Sequence, residues 1–193
     1  MGVQTDKRSQ QREDVLRFVV DAADLAFTPI LDVDALACVM CADPYVLGYV
    51  VARLFDLTAY ACAEKNLQRH RKALMEEATQ RFLKAQYPSV CDAVANLRET
   101  HRPRYLQGAA DGQRHCEYLF GERDVRQHPN YRDATARESS NAERMPGRRY
   151  SGSSEAVAHE VEYFTLRSYL IVHHADRMGY SADLPSTPGT AQP

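Results

Sequence analysis

The chain has 193 residues, of which 44% are hydrophobic and 26% charged, and its net charge is −2. That balance excludes a wholly disordered polymer and a disulfide-stapled miniprotein, and it suits one domain with a core of its own. Five cysteines, an odd number, in a chain that opens with the polar run "MGVQTDKRSQQRED" read as reduced thiols of a cytoplasmic protein.

Charge is not evenly spread. Residues 1–60 carry nine acids against five bases, residues 64–149 twelve against seventeen, and residues 150–193 five against two. The basic middle is therefore the expected surface for an anionic partner. Arginine outnumbers lysine twenty to four, the composition of a GC-rich coding sequence such as a bacterium or its mobile elements carry.

Residues 1–8 are expected to be flexible, and a helical core to run from 9 to 102. Leu16, Val19, Val20, Ala23 and Phe27 recur at helical spacing, and Thr28-Pro29 ends that first helix. A short helix over about 34–42 follows, capped by Asp32 or Asp34. Asp43-Pro44 then starts another, since an Asp cap with Pro at the first helical position leaves no needed N–H unpaired. From Pro44 to about Gln86 the pattern is almost all helical, with a break expected near Asp56 or Ala63, and Pro88 closes it before a short helix from Ser89. Pro44 to Ala63 has the length a bilayer needs, but Arg53 and Asp56 stand at its centre, so no membrane span is expected.

Residues 103–153 read as a polar, Arg-rich insertion with little to bury. A last helix, 154–179, carries Val157, Val161, Phe164, Ser168, Ile171, Ala175 and Met178 at alternating steps, a face for the core or for a second copy in a homodimer. Residues 180–193 are expected to be a disordered tail. The expected fold is all-α, a single helical domain of about six helices, with no internal repeat and no alternating strand pattern.

Few residues suggest chemistry. Cys38 and Cys41 form one Cys-x-x-Cys pair, whereas zinc needs four converging ligands; the apolar flanks make them small core fillers. Glu155, His159 and Glu162 share a helix face without the spacing of a bundle metal site, and His173-His174 suit a helix C-terminus. The stretch "HPNYRDATAR" (128–137) resembles the His-Pro loop of AMP-transferring Fic enzymes, but Ala134-Thr135-Ala136 stand where that loop has the phosphate-cradling Gly-Asn-Gly. No catalytic, metal or cofactor residues are expected, and the function expected is that of a non-enzymatic helical interaction or regulatory protein with a protein or nucleoprotein partner. Its contact residues would be Arg104, Tyr105, Arg114, Arg123, Arg126, Tyr131, Arg132, Arg137, Arg148 and Arg149, because interfaces favour Arg and Tyr.

The alternative is a DNA-binding regulator. The helix 34–42, the turn at Asp43 and the helix behind it have the layout of a helix–turn–helix, with Ala37, Leu47 and Val50 at packing positions. Over about 45 residues the order resembles a one-domain bacterial repressor of the TetR type. The resemblance implies that Tyr45, Tyr49 and Arg53 face DNA, although DNA readers normally bring more cations than this acidic segment holds.

Overall fold

The structure is a computed structural model, and it describes residues 2–144 and 153–175. Eight α-helices are found there: α1 (Gly2–Phe27), α2 (Val33–Ala42), α3 (Pro44–Glu64), α4 (Arg71–Leu83), α5 (Tyr87–Thr100), α6 (Arg102–Leu119), α7 (Tyr131–Arg144) and α8 (Ser154–His173). No strand occurs among the described residues.

Local chemistry explains most boundaries. Asp32 caps α2 through a 2.8 Å bond from the Ala35 N–H. Asp43 caps α3 through the N–H groups of Tyr45 and Val46, with Pro44 in the first turn. The break expected near Ala63 falls after Glu64. There Asn66 takes a left-handed φ of 57° and the Leu67 N–H bonds back to the Cys62 carbonyl at 2.8 Å. Pro88 lies inside the first turn of α5 and helps to start that helix rather than ending the previous one. Ser153 caps the N-terminus of α8 by accepting from the Ala156 N–H.

The region read as a loop-like insertion holds two helices. α6 opens with Pro103 in its first turn and packs along the full face of α3, making the most extensive helix pair in the structure. Its register depends on three glycines. Gly108 and Gly112 in α6 abut the backbones of Tyr45 and Tyr49, and Gly48 in α3 abuts that of Tyr105, so the two helices touch main chain to main chain. A polar, Arg-rich sequence buries well here because its contact face is Tyr105, Gly108, Gly112, His115 and Cys116, small or hydrogen-bonding rather than aliphatic. Residues 145–152, with Arg148 and Arg149, lie outside the described residues, as does everything beyond 175.

α3 sits at the centre, covered by α1, α2, α4, α5 and α6. The main core gathers Leu16, Val19, Phe27, Leu36, Met40, Leu47, Leu54, Leu57, Leu74 and Leu83, all nearly inaccessible. A smaller cluster of Tyr118, Val125, Ala134, Val157, Ala158 and Val161 joins α7 to α8. Among the described residues α3 is the one helix long and apolar enough to cross a membrane, and most of that stretch is buried inside the protein.

α1 begins at Gly2, ahead of the start expected at residue 9. Cys38 is exposed and Cys41 half-buried, so this pair is not core filler; Cys62 and Cys116 occupy that role, and no disulfide joins the cysteines. On α8 the buried residues are Ala156, Val157, Ala158, Glu160, Val161, Glu162, Leu166 and Leu170, while Ser168 of the expected stripe is exposed.

Candidate functional site

A charged cluster lies at the centre of the bundle. Arg53 of α3 and Glu162 of α8 are both about 1% exposed and form a fork-to-fork pair, Nε to Oε1 at 2.7 Å and Nη2 to Oε2 at 2.8 Å. The third face of the guanidinium donates to Cys116 Sγ at 3.0 Å. Tyr49, one turn before Arg53, donates its hydroxyl proton to Glu162 at 3.1 Å and lies 2.7 Å from His115 Nδ1. A carboxylate can only accept, so the Tyr49 proton goes to Glu162, and Nδ1–H of His115 donates to the Tyr49 oxygen. His115 Nε2 is left as a buried lone pair with no hydrogen-bond partner.

Burial and charge act against each other here. Burial by itself would raise the Glu162 carboxyl, but the Arg53 charge and hydrogen bonds outweigh it and hold it down at about 2. Burial lowers His115 to about 4, helped by Arg53 and opposed by Glu162, so its ring is neutral at pH 7. Burial pushes the Cys116 thiol up to about 12 and Tyr49 well above its ordinary value. The cluster is thus one ion pair surrounded by neutral groups, and it closes on itself. Cys116 reaches the wall of a surface hollow beside Tyr60.

A second polar link ties the end of α8 to the start of α3. Asp43, already the α3 cap, accepts from the Tyr169 hydroxyl at 2.8 Å and lies 2.9 Å from His174 Nε2. Tyr169 stacks on Tyr45 with ring centroids 4.2 Å apart, and Arg104 donates to the Tyr169 hydroxyl at 2.6 Å.

The residues expected to read DNA, Tyr45, Tyr49 and Arg53, share one face of α3, but that face is turned inward. Tyr45 is 5% exposed and the other two 0%. α2 and α3 follow one another across Asp43, and α6 and α8 cover the face of α3 that carries these three residues. The residues expected at a basic contact surface are also largely committed within the chain. Arg114 pairs with Asp111, Arg123 with Glu117, Arg126 with Asp124, and Arg137 with Glu160. Tyr105 is buried, Tyr131 is half-buried against α8, and Arg132 is exposed.

What the surface does offer is an aromatic groove. Phe18 of α1 is 39% exposed and Tyr60 of α3 42% exposed, their centroids 6.2 Å apart. Phe120, just past α6, stacks on Tyr60 at 4.1 Å with the planes only 6° apart. Leu25 and Leu119 extend the strip. Three adjoining hollows of about 560, 500 and 300 Å³ share Tyr60 as a wall. Tyr60 and Phe18 escape sequence reading because they fall on the polar sides of otherwise regular helices. The one available signal is that each is a large ring where a solvated face would carry a charged residue.

Among the described residues no group of three or more His, Cys, Asp or Glu side chains is placed to hold a metal ion. Comparison with family models, with curated proteins and with solved structures finds no match to this chain.

Proposed function

We propose that this protein works without catalysis, as a helical interaction protein that recognises a protein partner through the groove between α1, α3 and α6. The observation that supports this reading is the aromatic strip made by exposed Phe18 and Tyr60 with half-buried Phe120 stacked beside them. Rigid aromatic rings beside a hollow are what interface hot spots are made of, because they bury much area for little conformational entropy. The side chains with reactive potential in the core, Arg53, Glu162 and Tyr49, are saturated by one another.

Site-specific photocrosslinking tests the proposal. A crosslinker placed at Phe18, at the groove edge, is expected to trap a discrete partner in cells of the source organism. The same group at Glu99, exposed on α5, is expected to trap none. Equal yields from both positions, or adducts that survive Tyr60→Ser unchanged, would count against the groove.

A further inference from the structure

We propose that the groove receives a cationic amphipathic segment of the partner, its apolar side chains on Phe18, Tyr60 and Phe120 and its Lys or Arg side chains on the acidic rim. This rests on the reading of the groove as an interface and adds the chemistry of what fills it.

Charge decides the class of occupant. The three hollows are lined by six carboxylates, Asp14, Asp21, Asp56, Glu64, Glu117 and Glu122, against only two cations, Arg17 and Lys65. Those two cations are both held by Asp14, at 3.3 and 3.4 Å. Glu117 is engaged by Arg123 at 2.9 Å. Asp21, Asp56, Glu64 and Glu122 thus leave a negative surplus along the groove, in a protein whose net charge is only −2. Asp56 reports the crowding. Its carboxyl is raised by partial burial and by the neighbouring charges of Glu117 and Glu122, with Arg53 and Arg71 opposing.

An anionic membrane or a nucleic acid would be repelled by this rim, and a second copy of the groove would bring like charges together. A cation above the stacked Tyr60–Phe120 pair gains both carboxylate and π-face contacts. A helical segment with apolar anchors at every third or fourth position and Lys or Arg between them meets both requirements.

The test is fluorescence anisotropy on the full chain, with a labelled Leu/Lys peptide patterned as an amphipathic helix and its Leu/Glu counterpart. The Leu/Lys peptide is expected to bind, to weaken with added salt, and to outbind the Leu/Glu peptide. Asp56→Asn with Glu122→Gln should weaken it about fivefold, as removal of rim charges does. Tyr60→Ser should weaken it about tenfold or more, as loss of an aromatic anchor does. Glu76→Gln with Glu99→Gln, both exposed on other faces, should leave it unchanged. Circular dichroism confirms that each variant is folded. If the Leu/Glu peptide binds as well, or the rim variant binds unchanged while Tyr60→Ser binds poorly, the cationic occupant is wrong and the groove stands. If folded Tyr60→Ser binds unchanged, the groove itself is wrong.

Discussion

Replacing Gly108 with Ala tests the central helix pair. In an ordinary helix interior this change is stabilising, by about 1 kcal/mol, because Ala has the higher helix propensity. Here the added Cβ would stand 2.8 Å from the Tyr45 carbonyl carbon and 3.0 Å from its Cα, and closer still to the carbonyl oxygen. Carbon contacts are comfortable at about 3.5–4.0 Å, and both atoms belong to backbone that no rotamer change can move. α6 must therefore back away from α3 by roughly 1 Å. That motion also pulls on the Tyr45–Asp111 bond of 3.0 Å and the Tyr49–His115 bond of 2.7 Å, which bridge the same two helices. Overpacking of this kind costs typically 1–3 kcal/mol, and stretching these two hydrogen bonds, one buried and one part-buried, adds about 1 kcal/mol each. After the propensity gain, the net loss should be about 2–4 kcal/mol, or roughly 5–15 °C in Tm. Urea denaturation of the variant against wild type measures it. Gly121→Ala is the control: nothing lies within 4 Å of that position, so only its φ of 73° resists and the loss should stay near 1 kcal/mol. A Gly108→Ala protein as stable as wild type would refute the backbone-to-backbone contact of α3 and α6.

The other predictions concern the buried cluster and the thiols. Arg53→Met alone leaves Glu162 uncompensated and should cost about 3–5 kcal/mol in a denaturant titration, whereas Arg53→Met with Glu162→Leu should recover most of that loss; equal losses would mean that the pair matters only for its volume. His115 is held neutral with its folded value lowered to about 4, so between about pH 6.5 and 4 the unfolded chain binds the extra proton. Stability should therefore fall by about 3 kcal/mol as pH drops through that window, and His115→Phe should flatten the slope. Glu162, lowered to about 2, contributes stability that is present above the ordinary carboxylate range and is lost as pH falls towards 2, a separate and more acidic step. A thiol reagent should label Cys38 and Cys91 quickly in the native protein and reach Cys62 and Cys116 only on unfolding; fast labelling at Cys116 would place α6 wrongly.

Much of the fold is written in local patterns. The Asp32 and Asp43 caps, the Thr28-Pro29 stop and the apolar stripe of α3 each depend on neighbours within one or two turns, so they can be read one segment at a time. α6 and α7 do not announce themselves that way, because their sequences are polar and their buried faces small. The Gly108-Ala-Ala-Asp-Gly112 spacing was the available signal for close helix packing, and it acquires meaning only once Gly48 is opposite it. Arg53 is the sharpest case among the candidate residues. As the only base near the start of α3 it looks like a DNA contact, yet Glu162, separated by more than a hundred residues, turns it into the middle of the core.

The amino-acid order by itself determined that the chain is helical, where α1 ends and where α2 and α3 begin, and that its core is aliphatic, because capping, proline and hydrophobic periodicity act over a few residues. Only the tertiary structure decided which polar groups are inside. That outcome rests on pairing between distant segments: a charge enters the core only when its counter-charge arrives from another helix, and no local pattern encodes that meeting. The same holds for the groove, whose three rings come from α1, α3 and the end of α6 and become a surface only when those helices are packed.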